Sequence, residues 1–192
     1  MSSDIALILK AASFAAIKHK NDKRKDAEET PYINHPLEVA RILIEEGGVS
    51  DATVLAAAIL HDTVEDTGTK PEELEEHFGV EVRDLVLEVT DDKNMVKETR
   101  KRLQIDNAPK KSSGAAMIKL ADKIANLRDV ANRPPAHWNV GRRIEYAGWA
   151  MRVVEGLPVS EHPLVDIFKV EFERCVQICM KSDSESGNVR KE

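Results

Sequence analysis

Residues 52–67 read ATVLAAAILHDTVEDT, and the run changes character in its middle. Ala52 to Leu60 is the longest uncharged apolar stretch in the chain, nine residues. A helix that is apolar on every side belongs at the centre of a bundle. His61 and Asp62 follow at once. Burying a His beside an Asp costs free energy unless both are satisfied. A buried His–Asp hydrogen bond would satisfy them, and so would a metal ion. If the helix continues past Asp62, Glu65 lies four residues after His61 and Asp66 four after Asp62, so both face the same way as the pair. Acids one turn beyond a metal can orient or deprotonate a water and protonate a leaving group. The plainer reading is an acidic helix end, but carboxylates oppose the negative end of the helix dipole, which favours a nearby cation.

Working outward, nearly everything reads as helix. Ser3-Asp4 caps a first helix reaching His19, with Ile5, Leu9, Ala12 and Ala16 on one face. Residues 20–34 are polar, contain Pro31 and read as a loop. Pro36 opens the next helix and Gly47-Gly48 stop it. Its apolar stripe is Leu37, Ala40 and Ile44 with Val39 and Leu43. Ser50 or Asp51 caps the central run. Thr69 and Glu72, with Pro71, form a capping box for a short acidic helix that Gly79 ends. Further helices fall at about 81–90, 95–107, 114–130, 137–156 and 162–180, separated by Pro134-Pro135 and Gly156-Leu157-Pro158. The expectation is an all-α fold, a single helical bundle of about eight to nine helices over 1–180, with 181–192 (KSDSESGNVRKE) as a disordered tail.

The 192 residues suit one domain with a real core. With 42% hydrophobic and 32% charged residues, the chain has neither a disordered composition nor a membrane-spanning run. No signal peptide is evident at the N-terminus. Cys175 and Cys179 are the only cysteines, which excludes a disulfide framework and a four-cysteine zinc site. Four residues apart beside Leu164, Phe168 and Phe172, they read as core. A soluble cytoplasmic protein is expected. Net charge is 28 minus 34, or −6, which argues against a nucleic-acid binder. Its distribution is uneven. Residues 18–25 and 97–111 each carry +4, whereas 62–84 carry −7. An acidic segment between two basic ones suits a cation site flanked by anion-binding groups; solvated helix faces of alternating sign would look the same.

Three further residues join the pair. His35 opens the preceding helix. Asp122 lies in a helix whose apolar side is Ile118, Ala121 and Ala125, and Asn126 follows one turn later. Two His and two Asp would give a mixed nitrogen and oxygen ligand set suited to Mn²⁺, Fe²⁺ or Co²⁺. The gaps, 26 residues from His35 to His61 and 60 from Asp62 to Asp122, make spacing alone weak evidence.

His35, the His61-Asp62 doublet and Asp122 form the pattern of HD-domain metal-dependent phosphohydrolases. The surrounding blocks are more specific. TPYINHPLEVARIL (30–43), AAILHDTVEDT (57–67), FGVEVRDLVLEVTDDK (78–93) and IKLADKIANLRDV (118–130) resemble the hydrolase domain of the Rel/SpoT alarmone enzymes, above all the stand-alone small alarmone hydrolases, the metazoan SpoT homologues. The resemblance covers roughly residues 5–156. It implies Mn²⁺-dependent removal of the 3′-diphosphate of (p)ppGpp as pyrophosphate, leaving GDP or GTP. It implies one Mn²⁺ held by His35, His61, Asp62 and Asp122, with Glu65 and Asp66 as the paired catalytic acids. Asn126 matches a residue near the ribose and 3′-phosphate. Arg24 matches the arginine that packs on the base, with Lys25 beside it. Lys97, Arg142 and Tyr146 match further substrate contacts. No synthetase domain is implied. The loop RKDAEET (24–30) is longer than in bacterial long forms, and no family motif lies beyond Gly156.

Other functions compete. The same site acting on NADPH would remove its 2′-phosphate. A helical module that senses a nucleotide without hydrolysing it would fit loss of a metal ligand or of Glu65-Asp66, yet all six residues are present. A generic HD nucleotidase is disfavoured by the HDxxED extension and by ETPYINHP (29–36). The partner expected is a small nucleotide, not nucleic acid or membrane, and the oligomeric state is left open. The basic run KHKNDKRK (18–25) reads as a substrate loop. His19, His77, His137 and His162 receive no role.

Overall fold

The computed structural model describes residues 2–188. It is helical throughout: α1 (Ser2–Lys18), α2 (Asn34–Arg41), α3 (Ala52–Leu60), α4 (Thr63–Thr67), α5 (Pro71–Phe78), α6 (Val80–Val89), α7 (Lys97–Asn107), α8 (Ser113–Asn132), α9 (Val140–Glu155) and α10 (Pro163–Asn188). Among the described residues the sole extended pairing is an isolated bridge between Lys23 and Pro31. No helix is long and apolar enough to cross a membrane. Of the tail expected over 181–192, residues up to Asn188 continue α10, and 189–192 lie outside the described residues.

Two helices organise the rest. The apolar α3 is buried from Leu55 to Leu60 and packs against α1, α2, α6 and α8. Asp51 starts it, its side chain accepting from the Thr53 and Val54 amides. The long α8 packs against α2, α3, α6, α9 and α10 and is buried over most of its length. Ser112 caps its first turn by accepting from the Ala115 amide at 3.3 Å. Across α8, Arg128 binds both carboxylate oxygens of Glu46 at 2.7 and 2.8 Å and Glu171 of α10 at 2.9 Å, tying three elements together. Cys175 and Cys179 are buried in the core beside Leu164 and Phe168, as expected. Truncating a fully buried side chain such as Phe168 to Ala would cost about 3–5 kcal/mol.

The structure corrects three local readings. The buried side of α1 is Ala11 and Ala15, whereas Ile5 and Leu9 are 59% and 64% exposed. The helix has apolar residues all round, and the small alanines permit the close approach to α3. On α2 and the turn that follows it, Leu37 and Ile44 are also exposed, and Val39, Ala40, Ile42 and Leu43 form the core side. Here α2 runs into a π-helical turn, Ile42–Glu46, whose extra residue per turn shifts the register of the stripe. The capping box at Thr69 does not form. Pro71 sets the first helical position, so Lys70 occupies the cap without a side-chain bond, and the Thr69 hydroxyl pairs with that of Thr67 at 2.8 Å.

Candidate metal centre and active site

The central helix does not run straight into the acidic segment. It ends at Leu60, His61 and Asp62 form a turn, and α4 begins at Thr63. The amide of Asp66 still donates to the Asp62 carbonyl at 2.8 Å, so the helical spacing survives the break. His61 is 4% exposed, and its Nδ1 lies 2.8 Å from the Ala58 carbonyl. A carbonyl can only accept, so Nδ1 carries the proton and Nε2 is left facing inward. His35, also 4% exposed, enters from the start of α2. Asp122 enters from α8 and is buried.

These side chains converge. Asp62 Oδ2 lies 3.1 Å from His61 Nε2 and 4.0 Å from His35 Nε2. Asp122 Oδ1 lies 3.1 Å from His35 Nε2 and 3.9 Å from His61 Nε2. Donor atoms about 2.0–2.2 Å from a common ion stand at such separations from one another. The field at this point also favours a cation. Burial opposes protonation of His61, yet Asp62 and Asp122 outweigh it and lift its pKa to about 9. Burial likewise opposes ionisation of Asp62 and Asp122. The imidazoles, together with Lys123 beside Asp122, hold both well below the usual carboxylate range. His35 is pushed down, by burial above all. His35, His61 and Asp62 bring ligand atoms within 4.8 Å of one another and fit a divalent metal ion, with Asp122 Oδ1 beside both imidazoles.

Outer partners fix the ligands. The Tyr32 hydroxyl donates to Asp62 Oδ2 at 2.6 Å. Asn126 Nδ2 donates to Asp122 Oδ1 at 2.6 Å, and Lys123 Nζ to Asp122 Oδ2 at 2.9 Å. Lys123 is itself buried, with its ammonium 4.6 Å from the centre of the Trp149 ring. Tyr32 stacks on the buried His19, ring centroids 4.8 Å apart, and His19 pairs with Asp22 at 2.9 Å. Sequence reasoning missed Tyr32, Lys123 and His19. Tyr32 and Lys123 stood inside the family blocks, but nothing local shows what they touch.

A cavity of about 740 Å³ opens beside this centre, within the usual ~300–1,000 Å³ of small-molecule sites. Its wall includes Glu65, Asp66, Arg24, Lys25, Asn126 and Tyr146, all anticipated from sequence. Glu65 Oε2 accepts from the Asp91 amide at 3.1 Å, and Oε1 makes no hydrogen bond but lies 3.7 Å from Arg100 Nη1. Burial raises the pKa of Glu65, and the charges of Asp62, Asp91 and Asp66 add to it. Asp66 is ion-paired with Lys93. Arg24 donates to Asn126 Oδ1 at 3.1 Å and to Asp129 Oδ2 at 2.6 Å. Burial works against its charge, but Asp129 more than compensates. The Lys25 carbonyl accepts from the Ala136 amide at 3.0 Å, pinning the basic loop to the start of the Pro134–Trp138 turn. Tyr146 is wedged between Trp138 and Trp149, and burial pushes its hydroxyl up to about 12.

Lys97 and Arg142 stand outside the wall of this cavity. The Arg142 guanidinium lies 4.9 Å from the ring centre of Trp138, a wall residue, and Lys97 feels the charges of Arg142 and Lys101. Four other cations, Lys23, Lys93, Arg100 and Arg133, occupy the wall instead.

Comparisons with known proteins agree with this geometry. Residues 11–147 match the HD domain family. The chain is 60% identical over 157 residues to guanosine-3′,5′-bis(diphosphate) 3′-pyrophosphohydrolase MESH1 of Xenopus tropicalis, covering 82% of this chain and 88% of that one. The Homo sapiens protein of the same name is 53% identical over 174 residues, covering 91% and 97%. A solved structure described as a metazoan orthologue of SpoT that hydrolyses ppGpp superposes with a TM-score of 0.85 at 46% identity, over 88% of this chain and 95% of that one. A chain with this buried His–Asp centre, this cavity and these relatives belongs to the HD-domain hydrolases, among the metazoan SpoT homologues.

Proposed function

We propose that this chain is a Mn²⁺-dependent (p)ppGpp 3′-pyrophosphohydrolase, its hydrolase domain built over residues 1–180. One observation carries the reading: Glu65 and Asp66 share a single cavity wall with Arg24, Lys25 and Asn126, next to the His–Asp centre. The relatives named as hydrolases of this substrate support it. His35, His61, Asp62 and Asp122 would hold the ion, and carboxylate and imidazole donors suit Mn²⁺. When bound, the ion supplies Lewis acidity and a hydroxide nucleophile near neutral pH.

The protein's own groups do the rest. Arg24, locked by Asn126 and Asp129, presents a fixed guanidinium plane on which a base can stack. Asn126, already bonded to Asp122, places a polar group beside the ribose and 3′-phosphate. Glu65 Oε1 takes up the proton of the attacking water or returns one to the departing 3′ oxygen. Burial raises its pKa above the ordinary carboxylate value, the direction that favours a proton-exchanging role. Asp66 orients the water, its charge moderated by Lys93. Attack at the phosphorus bonded to the 3′ oxygen then releases pyrophosphate.

The test follows turnover of ppGpp and of NADPH side by side, with Mn²⁺ and with chelator, scoring pyrophosphate and orthophosphate separately. Manganese-dependent pyrophosphate from ppGpp is expected. Orthophosphate from NADPH alone would move the assignment to a 2′-phosphatase, and metal-loaded protein inert on both would favour a sensing module.

A further inference from the structure

The helix α7 has no buried residue. Ile105 is half-buried against the core, and polar contacts hold the rest of the helix beside the cavity. The Trp149 indole donates to the Lys101 carbonyl at 3.0 Å, and the Lys101 ammonium donates to Glu145 at 3.0 Å. Gln104 donates to Asp91, whose amide binds Glu65. Such a helix matters for the side chains it delivers, and one of them is Arg100.

Arg100 is on the cavity wall. Its Nη1 lies 3.7 Å from Glu65 Oε1, beyond hydrogen-bonding distance, and its Nε is buried with no acceptor. The side chain is 27% exposed. A guanidinium carries five donors, and leaving buried ones unmet costs free energy. The other arginines of the wall are already engaged: Arg24 with Asn126 and Asp129, and Arg133 with Asp129. Arg100 thus stands in a loose ion pair with Glu65 Oε1 and keeps a buried Nε donor without a hydrogen-bond acceptor.

An acceptor that fits this position is a phosphate, which a guanidinium binds in bidentate fashion. We propose that Arg100 binds the outer phosphate of the scissile 3′-diphosphate and so makes the site select a diphosphate over a monophosphate at that oxygen. The inference rests on the (p)ppGpp reading above. The phosphorus under attack must lie within reach of both the His–Asp centre and Glu65. The phosphate attached to it then has Arg100, 3.7 Å from Glu65 Oε1 on the same cavity wall, as its cation. Holding that phosphate would also orient the reacting phosphorus for in-line attack.

The experiment compares Arg100→Gln and Arg100→Lys with the wild type, using ppGpp and guanosine 5′-diphosphate 3′-monophosphate. The second nucleotide lacks only the outer phosphate, and its affinity is read as a KM or as a competitive Ki, whichever it shows. Arg100→Gln should raise the KM for ppGpp about 10- to 100-fold, as loss of a charged hydrogen bond does. The affinity for the monophosphate should change less than about 3-fold, and Arg100→Lys should recover part of the loss. The surface position of α7 leaves the fold intact, which the thermal midpoint checks. Equal weakening of both nucleotides, or of neither, overturns the assignment of Arg100. Wild-type protein that releases no pyrophosphate from ppGpp overturns the parent reading as well, so the two failures are distinct.

Discussion

Tyr32 and Asp62 are joined by a 2.6 Å hydrogen bond in which the phenol donates to Oδ2, the same carboxylate oxygen that faces both imidazoles. Burial and the negative charge of Asp62 push the tyrosine pKa far upward, so the phenol stays protonated and remains a donor. Its ring is held from behind by His19. Tyr32 therefore aims a carboxylate of the candidate metal centre. Tyr32→Phe should keep the fold and weaken metal binding about 10- to 100-fold, the usual cost of losing such an outer partner. Calorimetric titration with Mn²⁺ measures it directly. Unchanged affinity would mean that Asp62 needs no such guide.

Metal loss and loss of proton management should be separable. Asp62→Ala should bind little metal and show no turnover, and chelator should do the same to the wild type. Glu65→Gln should bind metal normally and lose about 10²- to 10⁴-fold in kcat, the usual worth of a general acid–base group. Metal content by elemental analysis beside the kinetics distinguishes the two. Turnover undiminished in Glu65→Gln would remove that residue from the mechanism.

Away from the site, acid should loosen the junction of the π-helical turn, α8 and α10. Arg128, bonded to Glu46 by two hydrogen bonds, lowers the carboxyl pKa below its ordinary value of 4.5. A carboxylate stabilised in the folded state contributes stability above its unfolded pKa and loses it as the pH falls through the lowered folded value. The contribution should be complete at pH 7 and decline below about pH 4.5. Urea unfolding of Glu46→Gln beside the wild type checks this. The gap between the two proteins should narrow as the pH drops, and a constant gap would contradict the assignment.

Close packing at the end of the same turn gives a stability prediction. A Cβ on Gly47 would stand 2.8 Å from the Leu43 carbonyl oxygen and 2.9 Å from Leu164 Cδ1 of α10. The backbone oxygen cannot move aside cheaply. Gly47→Ala should lower stability by about 1–3 kcal/mol, an overpacking cost, with little effect on metal affinity. Chemical denaturation gives the first quantity and metal titration the second.

Much of this protein was legible along the chain because its signals are local. The nine apolar residues of α3, the cap at Asp51, and the breaks at Pro134-Pro135 and Gly156 act within a few residues of themselves. The helical bundle followed from them, and the abrupt appearance of His61-Asp62 at the end of the central helix marked the site. Which side of α1 would be buried was not local. Ile5, Leu9, Ala11 and Ala15 are all apolar, and only the approach of α3 chooses between them. The same holds for the groups that tune the chemistry. Tyr32 and Asp62 are 30 residues apart, and Arg24 and Asp129 are 105 apart. Arg100 lies on a helix whose own pattern says nothing of Glu65. Hydrogen bonds and ion pairs act over a few ångströms, so partners so distant in the chain are chosen only when α3, α4, α7 and α8 are brought together. The sequence by itself determined the helices and the chemical types gathered at the centre. Only the folded arrangement pairs each donor with its acceptor, setting Tyr32 on Asp62 and leaving Arg100 Nε without a partner.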